Sequence, residues 1–204
     1  MNSLQPYLNS NLTEAGCDEA GRGCLSGPVV AGAVILNPDK KIAGLDDSKK
    51  LNEKDRLLLR DEITKHALDY GIGIVSNNEI DEINILNASF LAMHRAIDNF
   101  KCMEPEHLLI DGNRFNPYQS IPYTCVIKGD SIYQSIAAAS IMAKTTRDAI
   151  MAKLHDDYPA YNWLKNKGYP TKKHREAIEK FGPTSVHRMT FNLLGSKNQL
   201  KLFK

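Results

Sequence analysis

Apolar and polar positions alternate along this chain in patterns that predict an α/β fold. Three apolar stretches have the length and composition of β-strands and predict a meander of neighbouring strands: EAGCDEA, PVVAGAVIL and YGIGIVS, at residues 14–20, 28–36 and 70–76. Two more short apolar runs, HLLIDG at 107–112 and YTCVIKGD at 123–130, each finish in an acid beside a glycine. Ligands of open α/β sheets lie beyond the carboxyl ends of strands, so these acids occupy positions typical of a site.

Helical spacing separates the predicted strands. Leu and Ile recur at the spacing of an amphipathic helix over residues 52–70, whose first residue, an asparagine, is suited to be the N-cap, and a second helix is predicted over 87–100. A long helix over 131–158 contains an Ala-Ala-Ala-Ser run that permits close packing on a sheet, and a final helix covers 171–181. A meander followed by alternating strands and helices predicts a mixed sheet with helices packed against it.

Composition narrows the class of protein. The 204 residues are enough to bury the core of one domain. The first ten residues lack the basic segment and apolar run of a secretory signal, and no stretch approaches the ~20 apolar residues of a membrane span. We therefore expect a cytoplasmic protein without membrane association. Four scattered cysteines without zinc-type pairing are expected to be free thiols: Cys17, Cys24, Cys102 and Cys125.

Charge is unevenly distributed although the formal net charge is only +2. From Tyr161 onward the chain has ten lysines and arginines against two glutamates. A basic end on a balanced chain is expected for a protein that binds a polyanion, most often nucleic acid. The alternative is a solvated basic surface that only keeps the protein soluble.

Four acids at predicted strand ends are the candidate site: Asp18, Glu19, Asp111 and Asp130. An ordinary strand end would leave one acid of the Asp18-Glu19 pair in solvent and the other near the core. However, the following Gly21-Arg22-Gly23 lets the backbone turn tightly and approach a ligand. Oxygen ligands without His or Cys suit Mg²⁺ or Mn²⁺ rather than zinc.

Clustered carboxylates repel one another unless cations neutralise them, so the acids imply metal. Two such ions about 4 Å apart can activate a water and stabilise the leaving oxygen in phosphodiester cleavage. A basic C-terminal end would then provide the docking surface for the polyanionic substrate.

A series of ordered motifs from about residue 14 to about residue 191 adds to this interpretation: GCDEAGRGCLSGPVVAGAVIL, DDSKKL, LLIDGN, KGD, AAASIMAKTTRD, GYPTKKH and VHRMTF. Together they closely resemble the bacterial type 2 ribonucleases H, the ribonuclease HII family. The resemblance implies the ribonuclease H-like fold, with a mixed five-stranded sheet flanked by helices and a small helical C-terminal region. We expect an N-terminal extension over 1–13, a catalytic domain over 14–156, a substrate-binding region over 157–191 and a tail over 192–204.

The resemblance implies an endonuclease that hydrolyses the RNA strand of RNA–DNA hybrids and incises 5′ of single ribonucleotides in duplex DNA. The products would be a 3′-hydroxyl and a 5′-phosphate. Asp18, Glu19, Asp111 and Asp130 match the metal-binding, catalytic acids of the family, which hold two Mg²⁺ or Mn²⁺ ions. Asp148 is the rival for the fourth place; otherwise it would form an ordinary helix ion pair with Arg147 or another base. We favour Asp130 because it ends a predicted strand.

Substrate contacts also follow from the resemblance. Gly21, Arg22 and Gly23 match the loop that contacts the ribonucleotide 2′-hydroxyl through its backbone, the atom that distinguishes RNA from DNA. Tyr169 matches a tyrosine that stacks on the following deoxyribose, although it could instead cap the turn before Pro170. Four further bases are expected phosphate contacts, each with a solvated base as the alternative: Lys49, Lys144, His174 and Arg188.

The end of the chain, NQLKLFK, leaves apolar residues where termini are usually disordered. Four residues of this end resemble the peptide by which bacterial replication and repair proteins bind the β sliding clamp: Gln199, Leu200, Leu202 and Phe203. The alternative is that this tail packs on its own domain. Two other functions stay open for the chain, another two-metal nuclease of the same fold and a non-catalytic nucleic-acid-binding protein.

Overall fold

The computed structural model describes residues 4–45 and 51–195. The centre of the protein is a mixed five-stranded β-sheet. Its strands are β1 Glu14–Ala20, β2 Val29–Ile35, β3 Asp69–Val75, β4 His107–Asp111 and β5 Tyr123–Val126. They lie in the order β3-β2-β1-β4-β5. The meander β1-β2-β3 is antiparallel, whereas β1, β4 and β5 are parallel. The predicted α/β fold with a mixed five-stranded sheet is confirmed.

Residues 4–45 and 51–195 contain five α-helices: α1 Glu53–His66, α2 Asn77–Asp98, α3 Gln134–Asp157, α4 Trp163–Asn166 and α5 Lys172–Phe181. Asn52 caps α1, as expected, by accepting a hydrogen bond from the Asp55 N–H. Short 3₁₀ turns cover Gly129–Ser131 and Pro159–Tyr161. Among the residues described, no helix has the length and apolar character needed to cross a membrane.

Helices α2 and α3 cover opposite faces of the sheet, which places the main core on both sides of β1 and β2. Ala31 and Ala33 of β2 pack in a buried cluster with Met93 and other residues of α2. Val34, the next position of the pleat, packs instead with the α1 and α3 side. The helix α3 lies unusually close to β1, since a Cβ at Gly16 would come within 2.3 Å of the Ile136 nitrogen.

Two predicted elements differ from the structure. Helix α2 begins ten residues earlier than expected, because Ser76 and Glu79 form a capping box. The same helix changes direction at Asn84, whose φ is 66°. Strand β5 ends at Val126, so Asp130 does not end a strand but lies in the following 3₁₀ turn.

The C-terminal helices pack against the C-terminal part of α3, and an aromatic and imidazole cluster holds them together. Trp163 Nε1 donates to His174 Nε2 at 2.9 Å, and His187 Nε2 lies 3.2 Å from the same nitrogen. Burial, with the neighbouring His174, lowers the pKa of His187 to about 4. All four cysteines are free, as predicted.

Candidate active site

Asp18 and Glu19 lie at the end of the central strand β1, and both carboxylates are withdrawn from solvent. Asp18 is buried, and the Glu19 side chain is only 9% exposed. The arrangement therefore differs from an ordinary strand end, which would expose one of the pair. Asp18 accepts hydrogen bonds from the Ser140 side chain and from the Glu19 N–H, the latter at 2.7 Å.

Asp111 joins this pair because β4 lies beside β1 in parallel, with Cys17 opposite Ile110. Burial, followed by the negative charges of Glu19 and Asp111, raises the pKa of Asp18 well above its ordinary value. Burial also raises the pKa of Glu19; the Arg22 guanidinium opposes this shift and Asp111 adds to it. Asp111, which is far from Asp18 and Glu19 in the sequence, thus shares one electrostatic environment with them.

Protein donors hold two of these carboxylates. Arg22 Nη1 lies 3.0 Å from Glu19 Oε1, and the Gly129 N–H donates to Asp111 Oδ1 at 2.7 Å. Within residues 4–45 and 51–195, no three carboxylate, imidazole or thiol groups are arranged as a ready ligand set for one ion. The acids nevertheless fit an oxygen-ligated divalent cation, because the raised pKa values of Asp18 and Glu19 reflect a site that positive charge would stabilise.

The two rivals for the fourth acid occupy different surroundings. Asp130 is buried in the 3₁₀ turn directly after Gly129, the residue that hydrogen-bonds Asp111. Asp148 lies on α3, where its Oδ2 is 3.5 Å from Lys144 Nζ. Its expected alternative partner, Arg147, instead donates to backbone carbonyls. The connection to Asp111 favours Asp130, which stays a prediction.

The Gly21-Arg22-Gly23 loop follows β1 directly and has two glycines with different surroundings. Gly21 has a φ of +97°, and a Cβ there would lie 2.0 Å from Nε of the buried Arg147. A Cβ at Gly23, which lacks a positive φ, would meet no atom within 4 Å. The first glycine is thus required by the packing beneath the loop, whereas the second leaves open space on its outer side.

Two expected phosphate contacts need correction. His174 and Arg188 are both 0% exposed, so neither side chain reaches a phosphate on the surface. His174 is part of the C-terminal cluster, with Nδ1 2.9 Å from the Tyr169 carbonyl. Arg188 donates to loop carbonyls instead. The burial of these bases among partners from distant segments could not be inferred from their local sequence.

Tyr169 lies next to the loop, as its predicted role requires. The residue is 44% exposed, and its hydroxyl is hydrogen-bonded to the buried Cys24 thiol. Burial and the Cys24 thiol raise its pKa. Lys144 is close enough for its charge to act on the same thiol.

Several predicted residues cannot be placed, and others were missed. Lys49 and the tail residues lie outside the described residues; the latter are Gln199, Leu200, Leu202 and Phe203. Sequence reasoning missed Ser140, which interrupts an alanine run on α3, and Arg147, which supports the loop. A polar residue within that small-residue run was the available signal for Ser140.

The sequence is similar to those of known bacterial proteins. The chain is similar to ribonuclease HII of Bacteroides thetaiotaomicron, with 65% identity over 199 residues and 98% of each chain covered. It is also similar to ribonuclease HII of Phocaeicola vulgatus, with 62% identity over 199 residues and the same coverage.

Solved structures agree. The ribonuclease H2 of Pyrococcus horikoshii OT3 has a TM-score of 0.74 and 28% identity, covering 94% of this chain and 99% of its own. Archaeoglobus fulgidus ribonuclease HII, solved in complex with PCNA, has a TM-score of 0.73 and 25% identity, covering 88% and 95%. Bst ribonuclease HIII, solved with Mn²⁺, has a TM-score of 0.72 at 20% identity, covering 95% and 70%, and supports the fold alone.

The sheet, the helices around it and these neighbours define a ribonuclease H-type endonuclease. The family model described as Ribonuclease HII matches residues 15–194. Together with the identity to its bacterial relatives, this match shows that the chain belongs to the ribonuclease HII family. The resemblance noted in the sequence is therefore confirmed.

Proposed function

We propose that this protein cleaves the RNA strand of RNA–DNA hybrids and incises duplex DNA on the 5′ side of single ribonucleotides. The proposal is supported mainly by the position of Gly23, which has open space on its outer side and lies four residues after the buried acid Glu19. A sugar can approach the backbone at Gly23 while its phosphate lies near the carboxylates. Recognition and cleavage would then act on the same nucleotide.

The acids would hold the divalent cations that the reaction needs. Asp18 at the end of β1 and Asp111 at the end of β4 would be the shared ligands, with Glu19 and Asp130 completing the set. Two Mg²⁺ or Mn²⁺ ions there would supply an activated water and stabilise the leaving 3′-oxygen. Ser140 orients the Asp18 carboxylate, and the Gly129 N–H orients that of Asp111. Arg22 would have to exchange its contact with Glu19 for substrate or solvent.

Residues 157–191 would form the substrate-binding region. Tyr169 is 44% exposed beside the loop, so its ring is accessible for stacking on the deoxyribose that follows a ribonucleotide. Lys144, which is near Cys24 and therefore near the loop, would attract the phosphate backbone. The basic C-terminal end would supply the sequence-independent part of the affinity.

The test uses a DNA duplex with one ribonucleotide beside the same duplex made of DNA only. Each is incubated with Mg²⁺ or Mn²⁺, and then with excess chelator. We expect a single cut 5′ of the ribonucleotide, only with metal, leaving a 3′-hydroxyl and a 5′-phosphate. Equal cutting of the all-DNA duplex would identify a general nuclease, and binding without cleavage would identify a nucleic-acid-binding protein.

We further propose that the C-terminal tail docks on the bacterial β sliding clamp. The motif formed by Gln199, Leu200, Leu202 and Phe203 supports this, as does the complex of the Archaeoglobus fulgidus relative with PCNA. Clamp binding should be lost in a protein that ends at Ser196, while cleavage of the single-ribonucleotide duplex persists. Unchanged clamp affinity of the shortened protein would contradict the proposal.

A further inference from the structure

A buried guanidinium lies beneath the loop that follows β1. Arg188 Nη1 donates to the Arg22 carbonyl at 2.9 Å, and its Nε donates to the Gly27 carbonyl at 3.0 Å. The side chain is completely buried, and the Phe191 ring lies 5.2 Å from its guanidinium carbon. Arg188 therefore connects both ends of the segment 22–27 from the inner side.

These two bonds determine which way the loop peptides point. The peptide bonds of this loop are trans, and in a trans peptide the carbonyl and the following N–H point in opposite directions. Because the Arg22 carbonyl points inward to Arg188, the Gly23 N–H points outward. Open space also adjoins this peptide, since a Cβ at Gly23 would meet nothing within 4 Å.

The neighbouring peptide follows the same pattern. The Gly21 carbonyl accepts from the Cys24 N–H at 3.3 Å within the turn, so the Arg22 N–H also points away from the turn interior. Arg147 secures the rest of the segment from below by donating to the Ser26 and Pro28 carbonyls at 3.1 and 3.0 Å. Arginines thus hold four carbonyls of residues 22–28 inward, and the N–H groups of Arg22 and Gly23 are left to face a ligand oxygen.

Stability does not explain the choice of arginine at this position. Within the part of the chain that the structure describes, Arg188 Nη2 is buried and has no hydrogen-bond acceptor. A buried cation with an unpaired donor is costly compared with an apolar side chain of similar volume. Its distinctive contribution is geometric, because a planar guanidinium can reach two carbonyls at fixed separation.

We propose that Arg188 is a positioning residue for recognition of the ribose, which sets the direction of the Gly23 N–H toward the 2′-hydroxyl without touching the substrate. The inference rests on the proposed function, in which this loop reads the ribonucleotide. It replaces the expectation that Arg188 contacts phosphate. A positioning role predicts that Arg188 affects the response to a 2′-hydroxyl but not the affinity for DNA without one.

The test compares Arg188→Lys with Arg95→Lys. Arg95 is the matched control, because its Nη1 also donates to a backbone carbonyl, that of Ile74 in β3, but it lies outside both the loop and the proposed substrate-binding region. For each protein, kcat and KM are measured with Mg²⁺ on the single-ribonucleotide duplex. The inhibition constant of the all-DNA duplex and the Tm are measured alongside.

We expect kcat/KM of Arg188→Lys to fall about three- to tenfold, the effect of losing one or two well-aligned hydrogen bonds. The inhibition constant of all-DNA duplex should stay within about twofold of wild type, and Arg95→Lys should change neither quantity. Unchanged kcat/KM in Arg188→Lys would overturn the inference. Weaker inhibition by the all-DNA duplex would overturn it as well, since it would identify a phosphate contact.

If Arg188→Lys does not fold, Phe191→Leu takes its place. This change removes the ring face against Arg188 but keeps an apolar side chain, so a smaller fall in kcat/KM with unchanged inhibition by all-DNA duplex is expected. No fall would overturn the inference. Wild-type protein that fails to cut the single-ribonucleotide duplex would instead refute the proposed function itself, so the two failures are distinguishable.

Discussion

The two glycines of the loop provide a matched pair of substitutions with opposite expected effects. Gly21→Ala places a methyl group 2.0 Å from Nε and 2.6 Å from Cδ of Arg147. That side chain cannot move aside freely, because it is buried and donates to the carbonyls of Pro28, Ser26 and Lys167. Gly23→Ala places the same methyl group in open space.

The magnitude follows from two costs. A residue with a Cβ at a φ of +97° costs about 1–3 kcal/mol. Displacing Arg147 sacrifices at least one hydrogen bond from a charged donor, about 1.5–3 kcal/mol more. A total of about 3–5 kcal/mol should lower the Tm of a chain of this size by roughly 10 °C. Gly23→Ala should leave the Tm unchanged or slightly higher, because alanine restricts the unfolded chain.

Thermal unfolding by circular dichroism, with cleavage of the single-ribonucleotide duplex measured well below the Tm, separates the two variants. Gly21→Ala should lose stability. Gly23→Ala should keep its stability but lose activity, because the methyl group occupies the space in which a sugar would approach the Gly23 N–H. If both variants lost the same stability, or if Gly21→Ala had the same Tm as wild type, the assignment of Gly21 to packing and Gly23 to recognition would be refuted.

Three further outcomes are expected. Asp18→Asn or Asp111→Asn should abolish cleavage but retain duplex binding, and an active Asp111→Asn protein would contradict the site. With chelator present, Asp18→Asn should raise the Tm, because it removes one of three repelling charges. Duplex affinity should fall steeply with salt as phosphate contacts release counterions, whereas a flat response would argue against a basic docking surface. Since the pKa of His187 is lowered from 6.5 to about 4, the unfolded chain binds the proton first, so stability should fall by up to about 3 kcal/mol between pH 6.5 and 4. His187→Gln should flatten this part of the Tm profile.

The fold could largely be predicted because its signals are local. The strands β1 to β4 follow directly from apolar runs, and the N-cap at Asn52 is visible in the sequence. The early start of α2 was also encoded, in the Ser76 and Glu79 capping box, but its polar first turns resemble a loop. The kink at Asn84 has no comparable signal.

The acids of the site that lie at the ends of strands could be predicted from the sequence. Asp18 and Asp111 are brought together by the parallel pairing of β1 and β4, a rule that can be applied without coordinates. The burial of His174 and Arg188 depends on packing among distant segments, so a basic residue in sequence did not reveal it. Likewise, position 21 requires a glycine because of the Arg147 side chain, which is 126 positions further along the chain.

The helix α3 also sets a distance. Ser140 contacts the acid Asp18, and Arg147, seven residues and nearly two turns further, supports the loop at Gly21. Seven residues of α-helix span roughly 10 Å and resist stretching, since every turn is closed by its own hydrogen bonds. We therefore expect the helix to fix the separation between the proposed metal-binding acids and the proposed ribose-recognition loop. A fixed separation would keep the cut at one offset from the ribonucleotide whatever the surrounding base sequence. Inserting a single residue between Ser140 and Arg147 would rotate the two ends by about 100° and destroy the alignment.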